Sequence, residues 1–168
     1  MLFSEFKKLW QITCFQRSPE CLQYSRVFLV LLLALVCAAQ WLAKQQSMPE
    51  QQGFLWLYLV VILLLIRVLP FILFNKSERL VQGLTALFGT DLIISLPLLM
   101  ALMVFDATKK NVVLAVLFLL SNTWRLMANT FIYKFSLDIS WIKSAALVFI
   151  LTVVNIVAVS SIANLLEN

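Results

Sequence analysis

Five long apolar stretches, separated by short polar segments, dominate the pattern of hydrophobic and polar positions along the chain. They cover residues 27–44, 54–74, 80–105, 111–133 and 142–166. A helix that crosses a bilayer needs about 20 predominantly apolar residues, with a usual range of about 17 to 25. The pattern therefore predicts a bundle of five transmembrane helices within residues 27–168. Because the connections are short, helices that follow one another should be antiparallel neighbours.

The first 26 residues carry a different pattern, that of an amphipathic helix. Apolar side chains recur there at helical spacing from Leu2 to Trp10, while Lys7 and Lys8 fall mostly on the other face. Such a helix lies in the membrane interface, with its lysines near anionic headgroups, and packing against another protein is the alternative. We therefore predict a cytoplasmic interfacial segment over residues 1–26. The fold class is all-α, a polytopic membrane bundle.

Composition supports lipid as the solvent of this chain. Of its 168 residues, 62% are hydrophobic and 12% are charged, whereas soluble domains average roughly 45–50% apolar and about 25% charged residues. The net charge of +5 does not indicate nucleic acid, because the basic residues are scattered between apolar stretches rather than gathered on one face. We expect the lipid bilayer to be a partner and nucleic acid not to be one.

The distribution of lysine and arginine predicts the orientation, because cytoplasmic loops of membrane proteins carry an excess of both. With the N-terminus inside, the cytoplasmic side receives Lys7, Lys8, Arg17, Arg26, Lys76, Arg79, Lys134 and Lys143. The opposite side receives only Lys44, Lys109 and Lys110. Five spans then place the C-terminus in the periplasm. The small loops and the strong charge bias favour a bacterial inner membrane, with a eukaryotic internal membrane as the alternative.

Three charged residues lie inside the predicted spans, where charge is costly and usually faces the bundle interior. Counting from the cytoplasmic helix ends, Arg67, Asp91 and Arg125 lie at depths of roughly 10, 16 and 12 Å. They therefore share one layer, and Asn122 and Asn129 belong to the same hypothetical binding cluster. We expect Asp91 to pair with Arg67, with Arg125, or with both. The pairing either locks the bundle or leaves a positive site for an anionic headgroup or substrate.

The chemistry of known enzyme sites is missing from the sequence. There is no histidine, and the three cysteines have no CxxC spacing, so neither a metal site nor a Cys/His pair is indicated. Gly89-Thr90-Asp91 is superficially similar to the aspartate motif of intramembrane proteases, but those need two membrane aspartates that share a proton. We expect no catalytic residues, no metal and no cofactor, and therefore no enzyme.

The stretch 79–91, RLVQGLTALFGTD, and the pair Trp124-Arg125 resemble a pattern in small uncharacterised proteobacterial inner-membrane proteins. The layout of five spans after a short cytoplasmic segment also resembles Yip1-type membrane domains. That resemblance implies a helical bundle that acts in membrane trafficking through partner binding, and it carries no catalytic residues over to this chain.

Two functional hypotheses follow from these features. The first is a non-catalytic subunit, scaffold or assembly factor of a larger membrane complex, with protein partners in the membrane or a second copy of the chain. The second is a small transporter or lipid-handling protein that binds an anionic headgroup or substrate at the charged layer. A water-accessible cavity that reaches this layer would favour the second hypothesis, whereas dry, tight packing would favour the first.

Overall fold

The computed structural model describes residues 2–47, 53–105 and 111–167, and in these ranges the chain is helical, with no strand. The predicted all-α class is confirmed. Two short 3-10 helices cover Pro19–Cys21 and Ser77–Arg79. The α-helices are α1 (Leu2–Thr13), α2 (Arg26–Ser47), α3 (Gly53–Leu73), α4 (Leu80–Val104), α5 (Val112–Leu137) and α6 (Trp141–Glu167).

Three helical segments are long and apolar enough to cross a membrane, which makes this an integral membrane protein. They are Ser77–Val104, Val112–Leu137 and Trp141–Ala158. Shorter apolar helical stretches lie within α2, at Arg26–Leu42, and within α3, at Val60–Leu73. The bounds of α2 to α6 agree with the five apolar stretches of the sequence to within four residues. That α2 and α3 also cross the membrane stays a prediction.

Helix α4 is the centre of the bundle, with α1, α2 and α5 packed around it. From Val81 to Asp91 every residue except Gln82 is buried. Two glycines make this close packing possible. A Cβ atom at Gly89 would lie 2.6 Å from Cδ1 of Leu9, and one at Gly83 would overlap the ring of Phe71. The other helices can therefore approach α4 more closely than larger side chains would allow.

Helix α1 packs on the bundle through the apolar face that the sequence predicts. Leu9, Ile12 and Thr13 are buried, and the indole N–H of Trp124 donates a hydrogen bond of 3.0 Å to the carbonyl oxygen of Thr13. Phe3 stays 86% exposed. The bundle itself therefore covers part of this face. The location of α1 in the membrane interface stays a prediction.

An ion-pair network joins the connecting segments at one end of the bundle, which we call the basic end. Asp138 Oδ2 lies 3.0 Å from Lys76 Nζ and 3.1 Å from Arg79 Nη1. Arg79 Nη1 also lies 2.9 Å from Glu20 Oε1. Asp138 ends α5 in the left-handed conformation, with a φ of 55°. The charge distribution of the sequence assigns this end to the cytoplasm, whereas Lys109 and Lys110 of the opposite side lie outside the described residues.

The long helices form an incomplete ring. Helix α2 packs on α4, α4 packs on α5, α5 packs on α6, and α6 packs on α3. Helix α3 also contacts α4, near the basic end, where Phe71 lies against Gly83. Since α2 and α3 do not pack extensively on each other within the described residues, the ring is open between them.

Candidate functional site

Asp91 brings the two arginines of the membrane interior together. Nη2 of Arg67 donates a hydrogen bond to Oδ2 of Asp91, and Nε of Arg125 lies 3.0 Å from Oδ1. The side chains of Asp91 and Arg67 are only 8% and 11% exposed, whereas that of Arg125 is 32% exposed. Of the pairings that the sequence left open, the structure therefore has both.

The two ion pairs differ in hydrogen-bond geometry. Nε of Arg125 and Oδ1 of Asp91 are close, but the N–H geometry does not make a hydrogen bond, and both atoms are buried without a hydrogen-bond partner in the structure. Nη1 of Arg67 is also buried without a hydrogen-bond partner. Leaving a buried polar group unpaired costs about 1–3 kcal/mol, and more when it is charged. The site therefore has hydrogen-bonding capacity that the described protein groups do not use.

Arg67 is held in place from two further directions. Its guanidinium carbon lies 4.9 Å from the centre of the Phe88 ring, at a distance where a cation and an aromatic face attract each other. The hydroxyl of Tyr133 donates a hydrogen bond of 3.4 Å to the backbone carbonyl of Arg67. These contacts come from α4 and α5, so the position of Arg67 depends on the packing of three helices.

A cavity of about 700 Å³ reaches the charged cluster, and α2 to α6 all contribute to its wall. A volume of this size is typical of pockets that bind a small molecule. Thirteen of the 22 residues that line it are aliphatic or aromatic. The other nine are polar, and they are Gln40, Arg67, Asp91, Ser95, Asn122, Arg125, Asn129, Thr152 and Asn155.

The polar side chains of the cavity form a track that runs away from the basic end. Ser136 of α5 lies beside Gly83 of α4. At 1.5 Å per residue along these antiparallel helices, Asn122 is therefore roughly 9 Å farther from the basic end than Asp91. The hydroxyl of Ser144 donates a 2.6 Å hydrogen bond to the carbonyl of Thr130, and the same count places Asn155 roughly 5 Å beyond Asn122. An amide-rich region thus follows the charged cluster.

Asn122 and Asn129, which the sequence groups with the charges, both line the cavity. The side-chain nitrogen of Asn122 donates a 2.8 Å hydrogen bond to the carbonyl of Phe118, which leaves its side-chain oxygen available as an acceptor. The side-chain oxygen of Asn129 is buried without a hydrogen-bond partner in the structure. Both amides therefore add unused hydrogen-bonding atoms beside the ion pairs.

Gln40 and Asn155 also line the cavity, although they do not belong to the cluster predicted from the sequence. Each is an amide within a predominantly apolar helical stretch, which is a usable signal, because polar side chains within a membrane span mostly face the bundle interior. What the sequence did not provide is the rotation of α2 and α6 that turns both amides toward the same space.

Reactive and metal-binding groups do not gather at a second place in the described ranges. Cys14, Cys21 and Cys37 are free thiols, and burial raises the pKa of Cys21 above its usual value, which leaves it a weaker nucleophile. No group of three or more His, Cys, Asp or Glu side chains that could hold a metal ion occurs in the described part of the chain. Comparison of the chain with protein-family models, with curated proteins and with solved structures found no match.

Proposed function

We propose that this protein is a non-catalytic membrane protein that binds an anionic molecule in its intramembrane cavity. The observation that carries this proposal is the cavity of about 700 Å³ that reaches Arg67, Asp91 and Arg125. A cluster that only locked helices together would need no adjoining space. A cavity that reaches this layer is the feature expected to favour the lipid-handling hypothesis, whereas dry, tight packing would favour the scaffold hypothesis.

Charge selects the class of ligand. Two guanidinium groups and one carboxylate leave one net positive charge in a region that lipid and protein shield from water. Nη1 of Arg67 and Nε of Arg125 are buried without a hydrogen-bond partner, but the partly exposed side chain of Arg125 lines the cavity. An anionic oxygen there would accept hydrogen bonds from its guanidinium group. Charge-assisted hydrogen bonds of this kind are about twice as strong as neutral ones. The ligand would therefore carry a phosphate, sulfate or carboxylate group.

All five long helices cross the membrane in this proposal. Helix α2 has 22 residues and α3 has 21, which corresponds to lengths of about 33 and 32 Å, close to the roughly 30 Å of a bilayer hydrocarbon core. Exposed aliphatic side chains such as Val30 and Leu65 need a lipid neighbour rather than water. The basic end then faces the cytoplasm of a bacterial cell, with the N-terminus inside and the C-terminus in the periplasm.

The scaffold or subunit role stays a second prediction, and the Yip1-type resemblance would fit it. Its support is the outer face of α5, where Val116, Leu119 and Leu120 are exposed. An apolar face of this kind suits a partner helix as well as lipid. Recovery of a stoichiometric protein partner after mild extraction, with no anion bound, would favour this role over ligand binding.

The test of the proposed function removes the more accessible arginine. Arg125→Gln should lower the affinity for an anionic lipid, or for a soluble anion, by roughly tenfold or more, because a hydrogen bond to a charged group contributes about 1.5–3 kcal/mol. Lys143→Gln is the matched control, since it removes one exposed positive charge that does not line the cavity. Equal affinities in both variants and the unmodified protein would reject the proposal.

A further inference from the structure

The structure also indicates how the ligand reaches the cavity, and this inference rests on the proposed function. We propose that the ligand is an anionic phospholipid that enters sideways from the bilayer through the opening between α2 and α3. Its phosphate would meet the arginines while its acyl chains remain in the opening. Three features of the described residues point to this route.

The first feature is the incomplete ring of helices. Helix α2 packs on α4, and α3 packs mainly on α6, so the two helices that follow each other in sequence are not packed together over Arg26–Leu42 and Val60–Leu73. The cavity wall takes residues from both sides of this opening, namely Val36, Ala39, Gln40, Leu63, Ile66 and Arg67. The space beside the charged cluster is therefore bounded by helices that leave a gap facing the membrane.

The second feature is the surface on either side of the opening. Leu35 of α2 and Leu65 and Leu69 of α3 are exposed aliphatic side chains. Ala39, Leu63 and Ile66 are half-exposed and continue this apolar surface into the cavity wall. Acyl chains favour such a path, because it keeps them in an apolar environment while the headgroup reaches the arginines. A small hydrated anion has no such reason to enter from lipid.

The third feature is the closed floor of the cavity at the basic end. Phe71, Tyr133 and Leu137 are each no more than 2% exposed, and they lie between the arginines and that end of the bundle. The ion pairs of Asp138 with Lys76 and Arg79 hold the connecting segments below this layer. An anion dissolved on that side therefore meets a packed layer, whereas a lipid meets an opening.

The test narrows the opening without touching the charges. Ala39→Trp places a large ring at the half-exposed position where α2 borders the cavity, and Ala34→Trp, at an exposed position of the same helix that does not line the cavity, is the matched control. Each protein is taken from nanodiscs of phosphatidylglycerol and phosphatidylcholine in equal amounts, and retained lipid is identified by native mass spectrometry. We expect Ala39→Trp to reduce retention of phosphatidylglycerol by about tenfold, a change of about 1.4 kcal/mol, and Ala34→Trp to leave it unchanged.

A binding measurement with inorganic phosphate separates the proposed lipid route from the proposed anion-binding function. If phosphate binds with an affinity that depends on Arg125 while phosphatidylglycerol is not preferentially retained, the anion site exists but the lipid route is wrong. Retention that is equal in Ala39→Trp and the unmodified protein also overturns the route through this opening. If neither phosphate nor phosphatidylglycerol depends on Arg125, the proposed function itself fails. Selective retention of phosphatidylglycerol that only Ala39→Trp and Arg125→Gln reduce supports both.

Discussion

Arg125 Nε and Asp91 Oδ1 lie 3.0 Å apart, yet no hydrogen bond joins them, because the N–H does not point at the oxygen. Arg67, in contrast, donates a hydrogen bond to the other oxygen of the same carboxylate. The two arginines therefore have different roles. Arg67 is the structural partner of Asp91, and Arg125, whose side chain is more exposed, is the arginine that a ligand in the cavity can reach.

This difference predicts unequal costs of substitution. Asp91→Asn should lower the free energy of unfolding by about 3–5 kcal/mol, because it leaves the buried charge of Arg67 without its partner. Arg125→Gln should cost about 1 kcal/mol or less, since that pair is partly exposed and lacks a hydrogen bond. Thermal unfolding in one detergent measures both. Equal destabilisation by the two variants would show that the pairs are equivalent.

The folded fraction of Asp91→Asn should bind anions more tightly than the unmodified protein. The substitution removes the one carboxylate of the cluster, whose negative charge repels an anionic ligand and offsets the positive charges of Arg67 and Arg125. A gain of about tenfold in affinity corresponds to about 1.4 kcal/mol. Titration with inorganic phosphate or with phosphatidylglycerol, corrected for the fraction that remains folded, measures it. An unchanged affinity would mean that the carboxylate does not oppose the ligand.

Close packing of α1 on α4 gives a second kind of prediction. Gly89→Ala places a methyl group 2.6 Å from Cδ1 of Leu9, and overpacking of this kind costs about 1–3 kcal/mol. Leu9→Ala alone should also destabilise the protein, because it leaves a cavity. The double variant should lose less stability than the sum of the two. Strict additivity of the three melting experiments would show that Gly89 and Leu9 do not compete for the same space.

The sequence predicts the helices well because apolar length is a local property of the chain. The stretches that contain Arg67, Asp91 and Arg125 could also be placed at similar depth by counting residues, and the structure brings these three side chains together. Counting cannot predict which faces meet, because helices that are apolar all round carry little information about their rotation. The cavity itself, and the amides of Gln40 and Asn155 in its wall, therefore required the structure.

The N-terminal segment illustrates a second limit. An amphipathic pattern predicts a helix with one apolar face but not what covers that face. Leu9 packs against α4 because Gly89 has no side chain. The end of α1 is held at Thr13, because the indole N–H of Trp124 donates a hydrogen bond to its carbonyl oxygen. These contacts join positions far apart in the chain, so they depend on the packing of the whole bundle rather than on local periodicity.

The ion-pair network at the basic end predicts a dependence of stability on pH. The hydrogen bond from Lys76, together with the positive charge of Arg79, holds the pKa of Asp138 below its usual value. A lowered pKa stabilises the folded protein above the unfolded-state value of about 3.9, and this stabilisation is lost as the pH falls through the folded value. Asp138→Asn keeps a residue that tolerates the left-handed conformation but removes the charge.

The unmodified protein should therefore melt at a slightly higher temperature than Asp138→Asn at pH 7. This difference should begin to shrink near pH 4 and vanish once the pH is below the lowered pKa of Asp138 in the folded protein. Glu78→Gln, which removes an exposed acidic side chain nearby, serves as the control. Melting curves between these pH values decide the question. A difference that persists in acid would show that Asp138 acts through its geometry rather than its charge.

The hydrogen bond between Trp124 and Thr13 predicts how firmly α1 is attached. Trp124→Phe keeps an aromatic ring but removes the N–H that donates to the Thr13 carbonyl, and one such bond contributes about 0.5–1.5 kcal/mol. The undocked fraction of α1 should rise by about fivefold, since about 1 kcal/mol changes an equilibrium by that factor. Limited trypsin digestion in detergent measures this fraction, because cleavage after the exposed Lys7 requires α1 to detach from the bundle.

Trp141→Phe, at an exposed ring that contacts Lys134 rather than α1, is the control and should leave the rate of cleavage unchanged. If both variants are cut at the rate of the unmodified protein, other contacts hold α1 in place, and the buried side chains of Leu9 and Ile12 are the next to be shortened.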